Sequence, residues 1–224
     1  MRPRANPSAQ ALAEDRARAL ALTPVSRETV ERLNRFVALL LDWQQRMNLV
    51  APSTLPEIWT RHVADSLQLL AIAPAARVWV DYGSGAGFPG LPIACALAGT
   101  SGACVHLVES IGKKAAFLRE AVGATGVPAE VHAARFENLV DSFDPPPDML
   151  IARAVSPLKL LLDQTYPLLR RGTNALFPKG QDVEAELTEA ARYWKIEAEL
   201  VPSRTDSRGR IVHVRSLKPR GPVR

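Results

Sequence analysis

Cysteine is nearly missing from this 224-residue chain, which holds only Cys95 and Cys104. Two such residues, set close together in predicted core segments, exclude a disulfide framework and do not read as a zinc site. Both are expected as small buried hydrophobes in a reducing compartment, with no metal bound. A continuous apolar run of membrane-crossing length is also lacking. The opening Met1-Arg-Pro-Arg-Ala-Asn-Pro does not supply the apolar stretch of a secretory signal, so no membrane partner is expected and a cytoplasmic location is. Glu14 and Asp15 fit an organelle transit peptide poorly. Disorder is excluded too, because 47% of the residues are hydrophobic and 23% charged. What remains is one folded α/β domain with a modest appendage. Lys and Arg exceed Asp and Glu by 28 to 23, a balance that suits a polyanionic partner.

Apolar residues recur at helical spacing over residues 30–47, at Val30, Leu33, Val37, Leu40, Leu41 and Met47. Ser26, followed by Glu28, is the expected N-cap. A second helix is predicted over 55–70, after a loop containing Asn48-Leu-Val-Ala-Pro52. Beyond Pro74 the pattern changes to short apolar runs at 77–82, 105–108, 129–133, 149–152 and 175–177. Helices are predicted between them at 91–97, 113–122, 157–169 and 183–194. Strands alternating with helices imply a parallel, doubly wound sheet. Two last runs, 195–201 and 210–217, are joined by too few residues for a crossover and must pair antiparallel. The expected fold is therefore a Rossmann-like sheet of class I methyltransferase type, mostly parallel with an antiparallel C-terminal hairpin, plus N-terminal helices. Its expected divisions are a mobile leader at 1–24, a helical extension at 25–74, the catalytic domain at 75–218 and a basic tail at 219–224.

The strongest local signal is Val78-Trp-Val-Asp81-Tyr-Gly83-Ser-Gly85-Ala-Gly87-Phe88-Pro-Gly90, a buried strand entering a glycine-rich turn before a helix. Glycines let the backbone turn tightly and approach a ligand closely. Gly85 to Gly90 also satisfies the dinucleotide pattern G-x-G-x-x-G, so spacing alone leaves a nicotinamide cofactor open beside S-adenosylmethionine. Asp81 favours the second, since an acid entering the turn suits cationic amino and sulfonium groups and suits pyrophosphate badly. Its alternative role is to tie the turn to nearby backbone N–H groups. Glu109, at the end of the next strand, stands where an acid meets ribose hydroxyls. Phe136 and Glu137 follow the third strand, where an adenine should lie; Phe136 equally suits a place in the core.

His62, Asp65 and Ser66 are spaced i, i+3, i+4 and would share one helix face beside the glycine loop, with Trp59 a turn earlier. They are candidates for substrate contact or for a network locking the N-terminal helices to the sheet. The Asn/Asp-Pro-Pro-aromatic box of amino methyltransferases is missing after the fourth strand, which leads into Ala152-Arg153-Ala154. Neither cysteine is placed for covalent attack on a pyrimidine. Guanine N7 fits what is left: it carries a lone pair and no proton, so transfer to it needs no base. Lys113 and Lys114, at a helix start where cations gain nothing from the dipole, are candidate phosphate contacts, as is Lys179. The basic run Arg204, Arg208, Arg210, Arg215, Lys218, Arg220 and Arg224 is a candidate grip on RNA backbone. An RNA-binding assembly factor with an idle pocket stays open as a non-enzymatic reading.

Taken together, Asn48-Leu-Val, Trp59-Thr-Arg-His62-Val-Ala-Asp65-Ser66-Leu, Asp81 to Gly90, Glu109-Ser-Ile-Gly-Lys113-Lys114, Arg135-Phe-Glu137, Arg153-Ala154 and Lys179-Gly180 resemble one family. It is that of the small-subunit (16S) ribosomal RNA guanine-N7 methyltransferases, historically called glucose-inhibited division protein B. The resemblance implies a cytosolic monomer using S-adenosylmethionine, with 16S ribosomal RNA or the small ribosomal subunit as partner. It also implies a target guanine in the conserved stem-loop near the decoding centre. By motif, cofactor contacts would fall on Gly83, Phe88, Phe136, Glu137 and Arg153. Asn48, His62, Asp65 and Ser66 are the candidate catalytic residues.

Overall fold

The computed structural model describes residues 7–221. Seven strands form one sheet: β1 (Val78–Tyr82), β2 (Cys104–Val108), β3 (Ala129–His132), β4 (Met149–Ile151), β5 (Asn174–Lys179), β6 (Trp194–Pro202) and β7 (Arg210–Pro219). Their order across the sheet is β3-β2-β1-β4-β5-β7-β6. The first five are parallel. β7 inserts between β5 and β6 and is antiparallel to both, as the short connection before it requires. The chain crosses from β3 back past β1 to begin β4. That reversal opens a crevice beyond the carboxyl ends of β1 and β4, where ligands of doubly wound sheets bind.

Among the described residues, seven α-helices accompany the sheet: α1 (Ala9–Leu22), α2 (Arg27–Gln44), α3 (Asp65–Ile72), α4 (Gly90–Leu97), α5 (Gly112–Thr125), α6 (Leu158–Leu169) and α7 (Val183–Ala190). Alternation along each strand divides the core between the two sheet faces. Trp79, Leu107 and Ile151 pack with Leu33, Phe36, Phe88 and Phe117 on one face. Val80, Val108 and Leu150 pack with Phe136, Leu161 and Phe177 on the other. On α2 the predicted stripe is the buried one, with Leu33, Phe36, Val37 and Leu40 inside. Ser26 caps it, its Oγ accepting from the Thr29 N–H at 3.2 Å.

Three expectations change. Residues 9–22 of the expected leader form α1, capped by Ser8 and packed on the segment around Trp59; residues 1–6 lie outside the described residues. The helix expected over 55–70 is three pieces: a 3-10 turn at Pro52–Glu57, a π-helical turn at Trp59–Ala64, and α3. Pro52 and Pro56 lack the N–H groups of a regular helix, and the wider turn begins just after them. Its first N–H groups are satisfied from α1. The buried Asp15 carboxylate accepts from Trp59 N at 2.8 Å, Thr60 N at 3.3 Å and Thr60 Oγ1 at 2.5 Å. α7 also stops before the expected 194, because Trp194 already opens β6 with its indole donating to Asp163 at 2.9 Å.

Asp15→Ala would strand two buried backbone donors, each worth on the order of 1–3 kcal/mol when left unsatisfied. A loss of about 3 kcal/mol, lowering Tm by roughly 6–12 °C, is the expected outcome in thermal unfolding. An unchanged Tm would show that α1 does not stabilise the π turn.

Candidate active site

The glycine loop leaves β1 at Tyr82 with Gly83, Gly85 and Gly87 all at positive φ, near +74°, +56° and +88°. At Gly83 space is limiting as well, since a Cβ there would stand 2.8 Å from Val155 in the loop after β4. The turn is therefore pressed against the other wall of the crevice. Two carboxylates hold it. Asp81, fully buried, accepts from Gly90 N at 3.0 Å and so caps the start of α4, where a negative charge is favoured by the helix dipole. A Cβ on Gly90 would lie 2.7 Å from the same oxygen and 2.4 Å from Leu107, so only glycine fits. The other Asp81 oxygen, Oδ1, is buried with no hydrogen-bond partner among the described residues. Burial pushes the Asp81 carboxyl up to about 7, against the opposing pull of the Gly90 and Ser84 hydrogen bonds and Arg153.

Glu109, at the end of β2, accepts from Gly85 N at 3.0 Å through one oxygen and from Ile111 N at 2.7 Å through the other. It thus links the glycine loop to the entry of α5. The backbone-tying role considered for Asp81 holds for both acids. Each Glu109 oxygen keeps a second lone pair.

Opposite this loop stands a junction that the sequence spacing only half described. Arg153 donates to the Arg61 carbonyl at 3.0 Å, to His62 Nδ1 at 2.7 Å and to Asp65 Oδ2 at 3.4 Å. Its guanidinium lies 5.4 Å from the Phe88 ring centroid, and His62 stacks on the same ring at 4.9 Å. His62 Nδ1 faces a permanent donor and must accept, so its Nε2 carries the proton and donates to Thr54 Oγ1 at 2.9 Å. Burial, then the Arg153 and Arg61 charges, push the His62 pKa down to about 3. The ring is neutral and both nitrogens are engaged. Asp65 also accepts from Thr205 Oγ1 at 2.6 Å and Gln68 Nε2 at 2.8 Å, which ties α3 to the β6–β7 loop.

Ser66 does not join the shared face as expected. It has no exposed surface and its hydroxyl donates back to the His62 carbonyl at 2.6 Å. Asn48 is exposed, in a loop held by Gln44, whose amide accepts from Leu49 N and Val50 N and donates to Val50 O. Gln44 escaped notice because it reads as an ordinary polar position on a helix. Ala154 was missed too. Its φ of 56° puts a non-glycine residue in the left-handed region beside Arg153, and nothing in an alanine announces that.

Phe136 is corrected to a core residue: it is 1% exposed and stacks on Tyr82 at 4.3 Å. Glu137 is exposed and accepts from Gln164 Nε2 at 2.9 Å and from the Tyr82 hydroxyl at 3.4 Å. Lys179 lines the same cleft as Arg208 and Arg210. Its side chain is 10% exposed and its ammonium donates to Glu186 and to the Ser156 carbonyl, both at 2.8 Å, tying β5 to α7 and to the loop after β4. Lys113 and Lys114 stand at the start of α5, the first exposed and the second half-buried. Arg208 and Arg210 line a cleft of about 440 Å³ with Arg61, Asp65, Arg153 and Thr205. Arg224 lies outside the described residues.

A family model described as rRNA small subunit methyltransferase G matches residues 29–211, a span that holds the whole crevice. The chain belongs to the GidB family. Within that family, the Ribosomal RNA small subunit methyltransferase G of Bradyrhizobium sp. (strain BTAi1 / ATCC BAA-1182) is 58% identical over 92% of this chain and 93% of its own. That of Bradyrhizobium sp. (strain ORS 278) is 56% identical over 98% and 100%. Among solved structures, an O-methyltransferase from Bacillus cereus in complex with SAH superposes at TM-score 0.57 with 18% identity, over 92% of this chain and 99% of that one. At that identity the likeness establishes the fold, and the class I methyltransferase sheet expected for this GidB family member is the one present.

The raised Asp81 carboxyl has a measurable consequence. Its folded value of about 7 lies above the ordinary 3.8, so the folded state holds the proton more tightly than the unfolded chain. This stabilisation is complete below the ordinary carboxylate value and is lost as pH rises through about 7. Denaturant unfolding between pH 5 and pH 8 should show that loss, and Asp81→Asn should flatten it. An Asp81→Asn variant with the same pH slope as the wild type would refute it.

Proposed function

We propose that this protein transfers the methyl group of S-adenosylmethionine to N7 of a guanine in 16S ribosomal RNA, acting as a monomer in the cytoplasm. The observation that carries the reading is membership of the GidB family across the very residues that build the crevice. The target guanine would lie in the stem-loop near the decoding centre. No described helix is long and apolar enough to cross a membrane.

The crevice suits this cofactor. An unpartnered, buried acceptor on Asp81 meets the need of a cationic methionyl group, and the Gly85 and Gly87 backbone permits close approach. Glu109 would take the ribose hydroxyls with its remaining lone pairs, and Gly83 and Phe88 would flank the methionyl end. Glu137 and the backbone beside Phe136 would border the adenine. When bound, the cofactor supplies an electrophilic methyl on sulfonium. The residues of the chain then have to orient the acceptor and exclude water. Guanine N7 has no proton to lose, so no base is required. That accords with a neutral His62 whose two nitrogens are both engaged.

Arg153 would hold His62, Asp65 and Phe88 as one wall of the guanine pocket, with Asn48 at its rim. Asp65 would offset the positive charge that moves onto the guanine. Arg208 and Arg210, with Lys113 and Lys114, would contact RNA phosphates. Ser66 would support this wall, and Lys179, held by Glu186 and the Ser156 carbonyl, would border the RNA side of the cleft.

The test uses methyl-labelled S-adenosylmethionine and small ribosomal subunits lacking the modification, followed by digestion and mass spectrometry of the labelled nucleoside. Label in 7-methylguanosine is expected, and absence of label with donor binding intact would overturn the assignment. In parallel, Glu109→Gln should weaken donor binding by roughly tenfold or more, the scale of a lost charge-assisted hydrogen bond. RNA affinity should be retained; equal loss of both would refute the separation of roles.

A further inference from the structure

On the opposite side of β2 and β3 from the glycine-loop core, the sheet pleat gathers four side chains of one chemical kind. Cys104 and His106 alternate along β2, Glu130 and His132 along β3, and His106 is paired with Glu130 in the parallel register. All four therefore project from the same face. His106 Nδ1 lies 3.1 Å from His132 Nε2 and 3.4 Å from Glu130 Oε2, and His132 Nε2 lies 3.9 Å from the same oxygen. A Cys104 sulfur, a His106 nitrogen and a Glu130 oxygen all lie within 4.8 Å of one another.

The separations of 3.1–3.9 Å among His106, Glu130 and His132 are near those of a coordination shell, and His132 would complete the set formed by Cys104, His106 and Glu130 after a small side-chain shift toward the sulfur. Nitrogen and oxygen ligands about 2.0–2.2 Å from a tetrahedral zinc stand about 3.3–3.6 Å apart, and sulfur stands somewhat farther. We propose that Cys104, His106, Glu130 and His132 form a transition-metal site, with zinc(II) as the cation their donor set fits best. One thiolate, two imidazoles and one carboxylate select zinc over magnesium or calcium, which take oxygen shells. Phe143 covers the site, 5.2 Å from the His106 ring and 6.1 Å from that of His132. Glu130, its side chain 65% exposed, leaves the outer side open for entry. The site is distinct from the crevice and needs no part of the methyl-transfer reading. It nonetheless reaches toward it, because the His132 carbonyl accepts from Glu109 N at 3.0 Å. A metal here would cross-link β2 to the sheet's edge strand β3 just before the ribose-side acid. Spacing along the chain could not reveal it, since the ligands come in pairs from two strands and not from one metal-binding loop.

The experiment titrates the untagged, chelator-washed full chain with zinc(II) alone and with cobalt(II) alone. One equivalent of zinc is expected to bind and raise Tm. Cobalt(II) should give tetrahedral visible bands with a thiolate charge-transfer absorption. Cys104→Ser should abolish that absorption, and Glu130→Gln and His132→Ala should weaken zinc binding on the order of tenfold or more. The exposed Glu130 position keeps the test informative if another variant folds poorly, and metal-free Tm values report folding directly. Substoichiometric zinc, an octahedral cobalt spectrum, or affinity unchanged in Glu130→Gln and His132→Ala would overturn the proposal.

Discussion

The largely buried guanidinium of Arg153 is the interaction on which the crevice depends. It projects from the end of a central strand and, among the described residues, finds its hydrogen-bond acceptors on the N-terminal segment: a carbonyl, an imidazole nitrogen and a carboxylate between residues 61 and 65. A cation so placed is costly unless fully paired, and the π turn supplies the pairing. The π turn, its capping by Asp15 and the stacking of His62 on Phe88 together hold these acceptors against the buried cation.

The two acids of the glycine loop obey a related constraint. Each serves the protein's own backbone and, among the described residues, keeps capacity in reserve: Asp81 has one oxygen unpartnered, and each Glu109 oxygen accepts a single hydrogen bond. Such carboxylates hold the loop in shape before any ligand arrives, so little reorganisation is needed on binding. Their geometry also explains why a glycine pattern shared with dinucleotide enzymes is so ambiguous. The pattern records a backbone shape, and the flanking charges decide which ligand suits it.

Most of the fold was legible in the sequence because strand and helix periods are carried by many residues at once. All seven strands, the antiparallel closing pair and the Ser26 cap followed from pattern and connection length. The errors fall where one tertiary contact outweighs a local signal. Asp15 turned an expected leader into a packed helix by serving distant N–H groups. Prolines at 52 and 56 broke a run whose apolar spacing still looked helical. Lys179 is held by Glu186 and the Ser156 carbonyl, contacts its position in the chain does not show, and Phe136 turns inward to Tyr82. In each case residue type was informative and the partner, far along the chain, was not visible.

The position of β7 affects the order in which the molecule can be completed. It follows the other six strands in sequence, yet it pairs between β5 and β6. The loop preceding it supplies Thr205, Arg208 and Arg210 to the wall of the cleft. Until that strand docks, β5 presents a bare hydrogen-bonding edge and Asp65 lacks its Thr205 partner. Long-range pairings of this sort form late, because loop closure must be met before contacts repay it. A chain emerging residue by residue can therefore assemble its parallel half first, with the cleft wall closing only when the hairpin inserts. Half-made molecules would then lack one side of the cleft that Thr205, Arg208 and Arg210 line.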